Sequence, residues 1–234
     1  MLLHSHGWLV KGIKFQSWRI AGNPLQAARI HQARGVDELL FLDVSATPES
    51  RGPNVAMVCT MTEQCFMPIT AGGGVTTLAD VRALLRNGAD KVAIGAAIYT
   101  KPGIIKECSD VVGSQAIVGV IETDNGHLVS KWLGRNPVVI AEYLEAEGAG
   151  EILLMARDRD GTLEGYDIQT VHRVAVSVDI PVIAAGGAGT YDHMYRAIDA
   201  GASAVAAGAM FQWTDHTPKG AAQYLAAHGI EARV

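Results

Sequence analysis

Three stretches of this chain recur at a fixed distance. Gly35-Val-Asp-Glu-Leu-Leu resembles Gly148-Ala-Gly-Glu-Ile-Leu-Leu, Ala71-Gly-Gly resembles Ala185-Gly-Gly, and Asn87-Gly-Ala-Asp-Lys-Val-Ala-Ile-Gly-Ala resembles Ala200-Gly-Ala-Ser-Ala-Val-Ala-Ala-Gly-Ala. The offset is 113 or 114 residues each time, about half of the 234-residue chain. Apolar runs of strand length punctuate both halves: 38–43, 67–71, 91–95, 116–121, 151–156, 181–185 and 203–207. They are continuous rather than alternating, as parallel strands covered on both faces require. Helix-patterned segments lie between them at 24–34, 54–65, 78–87, 104–112, 138–147, 168–176, 191–200 and 221–228. Several end at a glycine (Gly35, Gly88, Gly148, Gly201, Gly229), which enters the left-handed conformation past a helix without penalty. Two (β/α)₄ units closing into one α/β barrel of the (β/α)₈ TIM type account for this pattern, as a single domain over 1–234 with halves near 1–112 and 113–234. A doubly wound open sheet gives no reason for a half-length repeat. An eighth strand has only the first few residues, Met1–His4, available to it, so the first strand is expected to be truncated.

Composition narrows the function. The chain is 49% hydrophobic with a net charge of −5, and its basic residues are dispersed. A nucleic-acid or anionic-membrane binder would show a basic block, so neither partner is expected. No run of 18 apolar residues occurs, and Met1-Leu-Leu-His is too short for a signal peptide. Cys59, Cys65 and Cys108 are scattered in apolar surroundings, which reads as buried thiols in a reducing, cytoplasmic compartment. Neither a metal nor a cofactor is expected.

In such barrels the loops after the strands carry function. Gly72-Gly73-Gly74 and its repeat, Gly186-Gly187, offer bare backbone N–H groups of the kind that hold phosphate. Tight turns are the plainer reading of the same glycines. Gly95-Ala96 and Gly208-Ala209 open the next loop of each half and would complete one cradle per half, which suits a phosphorylated ligand spanning the barrel mouth. Asp43, Glu122, Asp158 and Asp160 are carboxylates at strand ends, and Lys11, near the first loop, is the only cation close to the first strand's end. Asp160-Gly161-Thr162 makes the second-half cradle the one expected to bind better. At the opposite end, Glu38, Lys91 and Glu151 each begin a strand. Alternate strands share a layer inside a barrel, so these three charges can meet on its axis.

Taken together, Leu9-Val-Lys-Gly, Asp37-Glu-Leu-Leu-Phe-Leu-Asp, Gly72-Gly-Gly, Gly88-Ala-Asp-Lys-Val, Gly113-Ser-Gln-Ala, Asp158-Arg-Asp-Gly-Thr and Ala185-Gly-Gly-Ala-Gly resemble the cyclase subunits of imidazole glycerol phosphate synthase. The resemblance implies a barrel with a glutaminase docked on its N-terminal face. Ammonia would pass along the axis to a phosphorylated substrate at the C-terminal face. It implies phosphate contacts at Gly72, Gly73, Gly74, Gly161, Gly186 and Gly187, a loop lysine at Lys11, and an ammonia gate at Glu38, Lys91 and Glu151. The gate's usual arginine has no counterpart here. Of the family's two acid–base aspartates, one falls on Leu3, which cannot transfer a proton, and the other on Glu122. Gly95-Ala96 and Gly208 replace polar residues of the phosphate loops. Leu3 and Glu63-Gln-Cys-Phe-Met-Pro are closer to a paralogue found with surface-polysaccharide genes. That similarity implies ammonia passed to a separate amidotransferase acting on an acetamido sugar. A true histidine-pathway cyclase and an inactive phosphate-binding barrel are the alternatives.

Overall fold

A computed structural model describes residues 1–130 and 136–233. The chain alternates as β1 (Leu2–Ser5), β2 (Trp8–Ile13), β3 (Gln16–Gly22), α1 (Pro24–Ala33), β4 (Leu39–Asp43), α2 (Val55–Thr62), β5 (Ile69–Gly72), α3 (Leu78–Arg86), β6 (Lys91–Ile94), α4 (Ala96–Thr100) and α5 (Ile104–Val112). The second half continues with β7 (Ile117–Asp124), β8 (His127–Leu128), α6 (Pro137–Ala146), β9 (Glu151–Ala156), α7 (Ile168–Ala175), β10 (Val182–Ala185), α8 (Tyr191–Asp199), β11 (Ala204–Ala206), α9 (Ala209–Trp213) and α10 (Pro218–Ala227). Eight strands run parallel in the order β1, β4, β5, β6, β7, β9, β10, β11. This is the (β/α)₈ TIM-barrel arrangement the repeat predicted.

Two apolar shells hold it. Leu3, Leu40, Leu42, Ala93, Val118, Val120, Leu153, Met155, Ala185 and Ala206 point inward as one buried cluster. Their strand neighbours, among them Phe41, Ile94, Ile117, Ile121, Ile152 and Ala184, point outward into the helices. Alternation of side chains across each strand produces this division, so every strand is apolar throughout. The repeat is visible in the backbone. Gly73 and Gly186 have φ of 98° and 93°, and Gly74 and Gly187 have φ of 73° and 101°. A Cβ on Gly73 would strike the Asp43 carbonyl, and one on Gly186 the carbonyl of Ala156, its repeat equivalent.

The first strand, β1, has four residues and pairs in parallel with Phe41–Asp43 of β4. No ladder joins β11 to β1 among the described residues; at that seam the Met1 amine donates to the Ala207 carbonyl at 2.7 Å. The sequence reading missed an antiparallel hairpin, β2–β3, laid beside β1. One cysteine differs from expectation. Cys65 and Cys108 are buried, but Cys59 is half-exposed on α2, where the helix turns that face toward solvent. No helix among the described residues is long and apolar enough to cross a membrane.

Candidate functional site

At the C-terminal ends of the strands, a cavity of about 470 Å³ opens between the first-half loops and the ends of β7 and β9. Gly73, Gly74, Gly95, Ala96 and Glu122 line it, together with Phe15, Trp18, Tyr99, Met155 and Arg157. Glu122 stands near the end of β7, which runs past the barrel rim into the small β7–β8 hairpin. Its carboxylate lies 3.3 Å from Arg157 Nη1. Burial raises the Glu122 pKa above the ordinary carboxylate range, and Arg157 opposes that rise only in part. A cavity carboxyl whose pKa is raised in this way is a candidate proton-transfer group. Burial, assisted by the Glu122 charge, pushes the Tyr99 hydroxyl up to about 12, so it stays protonated.

The remaining site residues lie elsewhere. Leu3 sits in the inner apolar shell, 1% exposed, and lines no part of this cavity. Lys11 is also 1% exposed and reaches Asp160, with Nζ 2.5 and 2.6 Å from the two carboxylate oxygens. Burial lowers the Lys11 pKa, and the Asp160 charge and hydrogen bond offset that only partly. For a pair withdrawn from water in this way the desolvation cost can exceed the mutual attraction. Gly161 packs so tightly under the hairpin that a Cβ would strike the Gly12 carbonyl. A Cβ on Gly208 would lie 3.4 Å from Lys11 Nζ. The second-half cradle therefore has the backbone shape of the first, with Lys11 standing beside it.

Asp43, a strand-end carboxylate, is occupied by its own loop. Arg51 grips it through both nitrogens at 2.8 and 3.0 Å, Ser45 donates to it through N and Oγ, and His4 Nδ1 lies 3.3 Å away. Burial alone would raise its pKa, but the contacts with His4, Arg51 and Ser45 outweigh it, leaving Asp43 firmly ionised. The cluster ties down the loop after β4, whose Arg51 carbonyl packs against Gly74.

At the N-terminal mouth the three charges meet. Lys91 Nζ lies 2.6 Å from Glu151 and 3.1 Å from Glu38. Burial opposes the Lys91 charge, but the hydrogen bonds to Glu151 and Glu38 more than restore it, and its pKa is raised. All three residues line a cavity of about 590 Å³. Among the described residues no group of three His, Cys, Asp or Glu side chains could hold a metal ion.

Sequence reasoning missed Phe15, Trp18, Tyr99 and Arg157. Arg157 was in view as part of the charged run 157–160, but nothing in the spacing tied it to Glu122.

A model of the histidine biosynthesis protein family matches residues 5–217. The chain belongs to this family. It is 40% identical over 236 residues to the imidazole glycerol phosphate synthase subunit HisF of Thermococcus onnurineus, covering 97% of this chain and 94% of that protein. This likeness favours the histidine-pathway reading over the sugar-amidation reading.

Proposed function

We propose that this protein is the cyclase-type barrel subunit of a glutamine-dependent amidotransferase, acting on a phosphorylated substrate in the manner of imidazole glycerol phosphate synthase. The observation that carries the reading is the Lys91 cluster. A cation shared by two carboxylates on alternate strands forms a polar constriction at one end of the barrel, while the cavity with Glu122 opens at the other. A glutaminase on the N-terminal face would deliver ammonia through this gate. Gly73, Gly74, Gly95 and Ala96 would hold one phosphate of the substrate, and Gly161, Gly186, Gly187 and Gly208 the other. Gly72 sets the first cradle from below, packed so closely on Ala93 and Leu42 that no side chain fits. Glu122 would transfer protons, and Lys11, paired with Asp160 beside the second phosphate side, would have to leave that pair to bind there.

One observation favours a second reading. By the family resemblance Leu3 falls at the place of an acid–base aspartate, and it is sealed in the apolar shell. Loss of one acid–base group typically reduces rate by about 10²–10⁴-fold. A barrel so altered would still conduct ammonia, which a separate amidotransferase could spend on an acetamido sugar. Reconstitution with a glutaminase separates the two. Ammonia-dependent turnover of the histidine-pathway substrate at a rate ordinary for the family supports the cyclase. Glutaminase activation without turnover, with recovery in Leu3→Asp/Glu122→Asp, supports the second reading. Absence of any glutaminase activation refutes both.

A further inference from the structure

The tip of the β2–β3 hairpin is strained. Ile13 pairs with Gln16, so Lys14 and Phe15 form a two-residue turn, with φ of 55° and 58°. Glycine and asparagine are the usual residues for that conformation, and a bulky aromatic is disfavoured there. The surroundings must therefore hold the turn. Two anchors come from the loop after β9. Lys14 N donates to the Asp160 carbonyl at 2.7 Å, and the Arg157 guanidinium lies over the Phe15 ring, 5.0 Å from its centre. Phe15 in turn meets Trp18 edge to face at 5.5 Å. The same guanidinium contacts Glu122, and all four side chains face one cavity. Arg157 itself is fixed by its backbone N–H, which donates to the Thr123 carbonyl beside Glu122 at 2.8 Å.

We infer that Arg157 is the positioning residue of this site: one guanidinium orients the Glu122 carboxylate and clamps the Phe15 turn over the cavity, so that the lid and the acid–base group move as one unit. The inference rests on the reading of Glu122 as the proton-transferring group. Its consequence is specificity, because a ligand admitted beneath Phe15 has to fit a cavity whose charged and aromatic walls are coupled. Besides Arg157, the titratable groups facing the cavity are the Tyr99 hydroxyl on α4, whose pKa the Glu122 charge helps to raise, and Asp43, which is committed to Arg51.

The test uses the free protein, without substrate or glutaminase. Carboxyl-labelled glutamate NMR, assigned against Glu122→Gln, follows the Glu122 titration midpoint. Mass spectrometry follows the rate of tryptic cleavage after Lys14, which reports opening of the turn. Arg157→Leu should shift the midpoint upward and accelerate that cleavage several-fold, while cleavage at buried sites stays slow. Phe15→Leu should accelerate cleavage and also shift the midpoint upward by a smaller amount. This second variant leaves all charges in place, so it reads the coupling itself. Unchanged midpoint and cleavage in Arg157→Leu would overturn the inference. So would a midpoint unmoved in Phe15→Leu, since the lid and Glu122 would then be independent. Failure of the amidotransferase reading would appear only in the glutaminase reconstitution and would leave these measurements standing.

Discussion

Replacing Lys11 with methionine should destabilise the protein severely, by an amount that falls with pH. The stem of the side chain is kept, so packing changes little, and the loss is electrostatic. Asp160, 2% exposed, is left with no cation at 2.5 Å. Breaking a buried pair on one side costs about 3–5 kcal/mol. A second scale comes from the free energy of protonating a reference aspartate carboxyl of an unfolded chain. For a group of ordinary acidity that costs about 4 kcal/mol at pH 7 and about 1.5 kcal/mol at pH 5. The expected penalty at pH 7 is therefore about 3–4 kcal/mol, shrinking by more than half at pH 5. For a chain of this size, about 3–4 kcal/mol lowers Tm by about 6–16 °C.

Urea denaturation of the wild type and Lys11→Met, at both pH values, measures this directly. The double variant Lys11→Met/Asp160→Leu should be more stable than Lys11→Met alone, because no unpaired charge remains. The lowered Lys11 pKa points the same way: burial there outweighs the attraction of the partner. A Lys11→Met protein within 1 kcal/mol of wild type at pH 7 would refute the reasoning, as would a penalty independent of pH.

Other consequences are smaller. Lys91→Ala should cost only about 0–1 kcal/mol, since the pairs with Glu38 and Glu151 are partly exposed, yet it should change ammonia transfer in a glutaminase complex. Because the Lys91 pKa is raised, its contribution is fully present below about pH 10 and lost only above that, so stability scans from pH 6 to 9 should not separate variant from wild type by a titration. Asp43 has the opposite sense. Its folded pKa is depressed, so its contribution is present above about pH 4 and lost as pH falls below it, and Asp43→Asn should flatten the acid limb of a stability curve.

The barrel was legible because each strand is apolar on both faces and several helices stop at a glycine, signals that are local and repeated. The hairpin was not. β3 is exposed over Gln16–Ile20, with Ile20 67% exposed, so its pattern matches neither a core strand nor a loop. Its turn, Lys14-Phe15, lacks the glycine or asparagine that marks such a connection. The helices α4 and α9, five residues each, are too short to show a helical period. At the site, Glu38, Lys91 and Glu151 could be placed because barrel layering relates positions on alternate strands. The Lys11–Asp160 pair, 149 residues apart in sequence, and the Arg157–Phe15 stack depend on where the hairpin folds over. No periodicity records that.

The hairpin also breaks the symmetry that the repeat creates, and this reverses one expectation. Asp160-Gly161-Thr162 suggested that the second-half cradle binds anions better. Gly95 and Gly208 share nearly the same backbone, with φ, ψ of −120°, −90° and −118°, −75°. A Cβ on Gly95 would meet only Val120, whereas one on Gly208 would meet Met1 and Lys11. The first cradle faces an open cavity; the second faces a cation already committed to Asp160. An anion entering the second cradle must draw Lys11 away or do without it, and drawing it away costs about 3–5 kcal/mol. That equals a weakening of about 10²-fold or more. Inorganic phosphate should therefore bind the first cradle in the wild type. Asp160→Asn should release Lys11 and add a second phosphate site, visible by calorimetry as a change from one site to two. Equal occupancy of both cradles in wild-type crystals grown from phosphate would refute this. So would an Asp160→Asn protein with no gain in phosphate binding, because Lys11 would then not be what closes the second half.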